Sequence, residues 1–339
     1  MDSSILSNSP LRSLTEPARR TRDAVERLSE EFATRRVSDL GGALRHDFTA
    51  LAVAEREMGL ADALKHSVEA GRRLTARAGE SLDRIALSLD GLRNAAQPSL
   101  TGSVYADPEV VRTEAESALR NAITALNVTS DGRSVFAGGR VDADATAPIE
   151  SVLADVRGLA TQAGVTDMAS LQAAVDAYFD PTPVPGNFAD GVPDAANQPA
   201  SIQLRVGEDE TVSYAPSPLG EDVLTILKAV SMAVASTQSG FAAPTEARDF
   251  AAVELPVLLS GASDAAIRER ARTGTLEGRL DRALEEVDAA RLGAERERDA
   301  LIGADPYETG TRLQDEAARL ESIYTLTARL SRLRLTDYL

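Results

Sequence analysis

Few residues in this 339-residue chain are spaced for chemistry. Acids cluster at Glu30-Glu31 and at Glu285-Glu286-Asp288. Two carboxylates held within reach of one substrate could divide general acid and general base work. Both clusters fall in amphipathic helical patterns, where adjacent acids read as solvated faces. Asp142 and Asp144 lie in a glycine-rich stretch, Asn127 to Thr146, and could offer oxygens to calcium, but the EF-hand spacing is absent. The glycines of that stretch suggest a phosphate cradle, yet no GxxxxGK[ST] follows them. His46 and His66 are too few for a histidine metal cluster, and the absence of cysteine removes disulfides, thiolate sites and thiol nucleophiles. Tyr324 and Tyr338 read as packing residues. These residues predict neither catalysis, nor a cofactor, nor a metal.

Composition points to helices instead. Aromatics make up 4 % of the chain and tryptophan is absent, while alanine, leucine, arginine and glutamate dominate. The net charge of −17 argues against binding a phosphate backbone, so no nucleic-acid partner is expected. The charge is uneven. Residues 1–40 carry seven acids and seven bases, whereas 146–255 carry fifteen acids and four bases. Near-neutral ends suit packing, and an acidic middle suits water. No uninterrupted apolar run approaches the ~18 residues of a membrane span. The start lacks the charged-then-apolar pattern of a cleaved signal, which predicts a cytoplasmic protein unless export uses an uncleaved one.

The elements that position these residues follow from periodicity. Leu11, Leu14, Ala18, Thr21, Val25, Leu28 and Phe32 alternate spacings of three and four, the seam of a coiled coil. Pro17 places the start of that helix near Thr15, and Gly41-Gly42 its end. A long helical stretch runs from Ala43 to about Gln97, with a break near Gly71. Asp107-Pro108 opens a helix ending near Asn127. Val135-Phe136 sits between glycines and allows a short hairpin. Two short amphipathic helices cover 148–179, and five prolines mark Asp180 to Pro199 as a loop. Ser201 to Ala215 alternates Ile202, Leu204, Val206, Val212 and Tyr214 around a Gly-Glu-Asp-Glu turn, a β-hairpin.

A helix follows from Pro218 to Gln238, then a short helix at Asp249 to Leu259. A long one from Ser263 to Leu301 runs through Ile267, Ala271, Leu276, Leu280, Leu284, Val287 and Leu292. Gly303 stops it, and Asp305-Pro306 starts the last helix. There Leu313, Ala317, Leu320, Tyr324 and Thr327 form one apolar row; Ile323, Leu326, Leu330 and Leu333 form a second.

Apolar seams at both ends predict a mainly α fold, a long antiparallel helical rod or coiled coil with both termini paired. A small α+β insert carries the hairpin. Two helices cannot hide such wide faces on each other, which favours assembly with other chains over a monomeric bundle.

Several stretches carry a resemblance. Ala290 to Arg296 (ARLGAER), Ala304-Asp305, then Leu320, Glu321, Tyr324, Leu330 and Ser331, and the ending Asp337-Tyr338-Leu339 follow a recognisable order. Asn127, Gly132, Phe136 and Gly138 match an N-x-x-x-x-G-x-x-x-F-x-G loop, and Arg27-Leu28-Ser29 matches an Arg-Leu-Ser/Thr site. In these the chain resembles the flagellin family, and within it the hook–filament junction branch more than the filament-forming one. The Gly-x-Arg-Ile and Asp-Asp-Ala/Pro pattern expected after Arg27-Leu28-Ser29 is replaced by FATRRVSDLGGAL.

The resemblance implies three domains: an inner-tube pair at 1–42 with 304–339, a helical rod at 43–145 with 240–303, and a variable outer insert at 146–239. It implies export without a cleaved signal to the extracellular flagellum. The implied partners are copies of the chain in a ring, a neighbouring hook-associated protein, flagellin, and an export chaperone on the C-terminal helix. The assembly residues would be Val25, Leu28, Phe32, Leu313, Leu320, Tyr324, Leu330, Leu333, Tyr338 and Leu339. A minor flagellin and a soluble coiled-coil binding module or secreted effector are the alternatives.

Overall fold

A computed structural model describes residues 10–97, 106–138, 143–197, 201–241 and 243–336; the side chains of 10–14, 197 and 330–336 lie outside the description. The chain is mainly helical, with long helices packed together and a small hairpin sheet. Its helices are α1 (Pro10–Thr34), α2 (Leu40–Ala43), α3 (Thr49–Ala95), α4 (Pro108–Leu126), α5 (Ile149–Leu159), α6 (Met168–Tyr178), α7 (Glu221–Ser236), α8 (Pro244–Ile302) and α9 (Pro306–Thr336). Strands β1 (Thr129–Ser130) and β2 (Arg133–Ser134) form a minimal hairpin, and β3 (Ile202–Arg205) pairs antiparallel with β4 (Thr211–Tyr214). The chain divides into two compact units, one of residues 1–62 and 288–339, the other of residues 63–287.

The unit of 63–287 holds the large core. Its stretch of α3 buries Val68, Thr75, Ala78, Leu82, Ile85, Leu89, Leu92 and Ala96 at intervals of three and four, apart from one double step across Gly71. Gly71 was expected to interrupt the helix. It lies within it, because a Cβ there would come within 2.9 Å of Leu204 Cδ1 and 3.4 Å of Leu280 Cδ1. The residue is a notch into which the hairpin and α8 press their leucines.

Along α8 the buried row is Leu255, Leu259, Ala262, Ala266, Thr273, Leu276, Leu280, Ala283 and Val287. The expected row of Ile267, Ala271 and Leu292 is corrected: Ile267 is 64 % and Leu292 46 % exposed, and Ala271 is exposed. That row averaged more than four residues per step and so drifted around the helix, whereas the real one holds 3.5.

Helix boundaries also differ from expectation: the first helix, expected to end at Gly41-Gly42, ends at Thr34, and Leu40–Ala43 forms the separate α2. The helix starting near Thr15 begins at Pro10 and runs through Pro17. Pro17 is exposed, so water can satisfy the carbonyl its missing N–H leaves unpaired. The two helices expected on either side of residue 260 are one, α8, continuous through Pro256. The fully buried Leu255 and Leu259 anchor it on either side of the proline.

One 18-residue stretch within α8 has a mean hydropathy of 1.4, enough by length and composition to cross a membrane, although uninterrupted runs suggested none. Core helices of soluble proteins pass the same test, and a third of the stretch is buried.

The hairpin alternates as its sequence demands. Ile202, Leu204, Val206, Val212 and Tyr214 are buried, and Gln203, Arg205, Thr211 and Ser213 are exposed. Leu204 pairs with Val212 in register. Near α5 and α6 a small aromatic group forms, with Tyr178 edge-on to Phe179 at 4.9 Å and Phe179 at 5.2 Å from Phe188. At the first turn of α7, the buried Asp222 accepts hydrogen bonds from Arg268 and forms an ion pair with Arg272, both of α8, each at 2.6 Å. An acid in the first turn also complements the helix dipole.

Asn127 closes the glycine-rich loop. Its Nδ2 donates to Thr146 Oγ1 and its Oδ1 accepts from the Thr146 N–H, both at 2.9 Å. Asp131 and Gly132 turn the chain with φ of 52° and 74°, which returns Phe136 to a fully buried position. Asp144 is exposed, and Asp142 lies outside the described residues. Phe136→Ala is expected to cost about 3–5 kcal/mol by leaving a core cavity. Denaturant unfolding of the full chain, followed by far-UV circular dichroism, measures that loss.

Candidate assembly surface on the terminal helices

The unit of 1–62 and 288–339 is built on the pairing of α1 with α9. Two backbone hydrogen bonds tie the breaks that precede α9 and follow α1. Val37 N–H donates to the Ile302 carbonyl at 2.9 Å, and Ala304 N–H donates to the Arg35 carbonyl at 3.0 Å. Between them Arg36 and Gly303 form an isolated antiparallel bridge. Arg35 takes φ of 55° to leave the helix. Asp305 then caps α9, its Oδ1 accepting from the N–H groups of Tyr307 at 2.8 Å and Glu308 at 3.2 Å. Pro306 follows at the position where a missing N–H costs nothing.

Away from the bridge the pairing is light. On α1 the described inward row is Ala18, Thr21, Val25 and Leu28, of which only Thr21 and Leu28 are buried. On α9 the row is Thr309, Leu313, Glu316, Leu320, Ile323 and Thr327, and only Thr309 is buried. Burying Leu28 contributes about 1.5–3 kcal/mol.

The expected α9 row is therefore redrawn. Leu313, Leu320 and Thr327 keep their places, but Ala317 and Tyr324 face outward, and Thr309, Glu316 and Ile323 replace them. An apolar count overlooks a threonine and a glutamate. Both rows alternate steps of four and three, so spacing alone does not choose between them.

Phe32 is 48 % exposed and lies against Gly310, where a Cβ would sit 3.2 Å from its ring. Tyr324, 44 % exposed, accepts a hydrogen bond from Arg22, whose guanidinium lies 5.9 Å from the centre of the ring. Leu326 and Tyr307 are also exposed. Leu330 and Leu333 continue α9, but their side chains lie outside the description, as do Tyr338 and Leu339 altogether. Val25, Leu313 and Leu320 are half-buried.

The charged residues expected to be solvated are placed plainly. Glu285, Glu286, Asp288, His46 and His66 are exposed. Among the described residues no three metal-ligating side chains come together. In the ARLGAER stretch, Arg291 donates to Asp62 at 2.7 Å and to Glu295 at 3.3 Å, Ala294 is buried, and Leu292 faces out. No protein-family model matches the chain, and no curated protein matches it.

One acid on α1 is held away from its ordinary behaviour. Burial works to raise the pKa of Glu31, but hydrogen bonds from the Ser38 hydroxyl and the Ser38 N–H prevail, aided by Arg27 and Arg312, so it is lowered. A carboxylate whose folded pKa lies below its unfolded value stabilises the fold above the unfolded pKa. That contribution disappears as pH falls through the folded one. Ser38→Ala is expected to move the Glu31 pKa upward and to make the α1 C-terminus less stable above the ordinary carboxylate range. A carboxyl-detected NMR titration reads the shift; an unchanged Glu31 midpoint contradicts it.

Proposed function

We propose that this chain is a structural, self-assembling protein of the bacterial flagellum, a flagellin-family member that joins hook to filament. The observation that carries this reading is the half-covered pair of α1 and α9. Phe32, Tyr307, Tyr324 and Leu326 present apolar surface that the pair does not hide, and subunits related by a repeating lattice would cover it. The loop closed by Asn127, with Gly132 turning it and Phe136 buried, gives a physical reason for one of the motifs that carry the family resemblance.

On this reading the terminal segments 1–42 and 304–339 pair antiparallel as the inner tube. Residues 43–145 and 240–303 form a long antiparallel rod, and the acidic 146–239 faces outward. The chain leaves the cell without a cleaved signal, held beforehand by a chaperone on α9. It performs no catalysis and needs no cofactor or metal.

Deleting the gene is expected to leave hooks without filaments and to release flagellin into the medium. Normal filaments on the deletion strain would refute the proposal. Leu330→Asp and Leu333→Asp are each expected to abolish filament attachment while the unit of 63–287 keeps its circular dichroism and its unfolding midpoint. Filament-length polymers from the purified chain alone would instead mark a minor flagellin. Unchanged localisation after removal of 304–339 would mark a soluble binding module.

A further inference from the structure

The seam between α1 and α9 repeats its spacing every seven residues, and among its described residues only Thr21, Leu28 and Thr309 are buried, so little side-chain packing distinguishes one heptad from the next. Thr21 recurs as Leu28 on α1; Leu313 recurs as Leu320, and Glu316 as Ile323, on α9. The charges beside the seam repeat as well. Glu308 recurs as Asp315, and Arg312 recurs as Arg319, all four lining the groove between the helices. Phe32 rests on Gly310, and Ala317, another small residue, waits seven positions further on. A slide of one heptad therefore keeps the spacing, the flanking charges and a small residue opposite Phe32, although it exchanges unlike seam residues such as Thr309 and Glu316, and coiled coils with repeating spacing are prone to alternative registers.

The contacts that do not repeat are at one end. The Arg36–Gly303 bridge, made by the hydrogen bonds Val37 N–H to Ile302 and Ala304 N–H to Arg35, occurs once, and Glu31–Ser38 hydrogen bonds hold the end of α1 that carries it. Gly303 is also sterically required, since a Cβ there would lie 2.3 Å from the Asp299 carbonyl oxygen. The lateral contacts Arg22–Tyr324 and Phe32–Gly310 involve exposed groups and hold register weakly.

We propose that this backbone clasp is a register lock: it selects one of several alignments of α1 on α9 that share the seven-residue spacing, and loosening it lets α9 slide by one heptad. The slide runs so that Ala317 replaces Gly310 opposite Phe32. The opposite slide would carry the helix break at Gly303 into the seam. The lock belongs to the single chain and stands whether or not the chain assembles in a flagellum.

The chain has no cysteine, which makes cross-linking unambiguous. Two double variants of the full chain report the two registers: Phe32→Cys with Gly310→Cys, and Phe32→Cys with Ala317→Cys. Replacing Phe32 also removes the ring a Cβ at 310 would meet. A short bis-maleimide is added to dilute protein, and intramolecular products are quantified by mass spectrometry. With the clasp intact, the first pair is expected to cross-link at least tenfold more than the second. With Val37→Pro, which removes one clasp donor, or Gly303→Ala, the first yield is expected to fall and the second to rise to a comparable level. A first pair that stays dominant in both clasp variants overturns the proposal. Equal yields with the clasp intact also overturn it. So does loss of both products while helix content is retained, because the clasp would then hold the pair together rather than choose its alignment. If Gly303→Ala fails to fold, as circular dichroism would reveal, Val37→Pro decides alone.

Discussion

The 3.5-residue spacing of buried side chains is the constraint from which the rest follows. In α3 and α8 the inward residues keep that spacing over long stretches, and each helix hides a narrow stripe rather than a broad face. A narrow stripe built largely from alanine, leucine and valine explains the scarcity of aromatics. It also explains Gly71, whose missing side chain admits Leu204 and Leu280 at a place where any Cβ would stand in the way. The three large aromatics that are fully buried among the described residues, Phe136, Phe179 and Phe188, lie outside those stripes, where a loop and short helices must fill irregular space.

Much of this was legible in the residues, and the exceptions have physical causes. The β3–β4 hairpin was readable because alternation has a period of two and its Gly-Glu-Asp-Glu turn is explicit. The helix α4 was readable from Asp107-Pro108, and Val111, Ala115, Ala118, Ala122 and Leu126 are all buried as their spacing predicts. Where proline was taken as a boundary, at Pro17, hydration overrode local propensity; Pro256 lay inside the short helix expected at 249–259, and α8 runs on past it. Ile267 and Leu292 were taken as inward in a row whose small drift per step carried them to the outside, while Tyr324 kept the spacing but lay one position off the covered row. Glu316 and Thr309 were missed for the complementary reason: position, not polarity, decides what a lightly packed seam covers.

The terminal pair obeys the same spacing with a different result. In the unit of 63–287, leucines, isoleucines and phenylalanines on several elements close over one another. In the terminal pair only Thr21, Leu28 and Thr309 are buried among the described seam residues, and large apolar groups remain in solvent. A seam this thin supplies little of the energy that fixes one structure. Its geometry has to come from elsewhere, and the contacts available are the main-chain hydrogen bonds at Arg35 to Val37 and Ile302 to Ala304.

This divides two roles that coiled coils often combine. Affinity between the helices grows with apolar area, which more copies could enlarge. Alignment is set by a feature that occurs once, and a backbone bridge is suited to that because its donors and acceptors cannot be displaced by a neighbouring heptad. A pair that is weakly held but firmly aligned presents Phe32, Tyr324 and Leu326 in a fixed pattern. A repeating partner surface needs such a pattern, since a one-heptad error in any subunit would move its α9 contacts by about 10 Å along the helix.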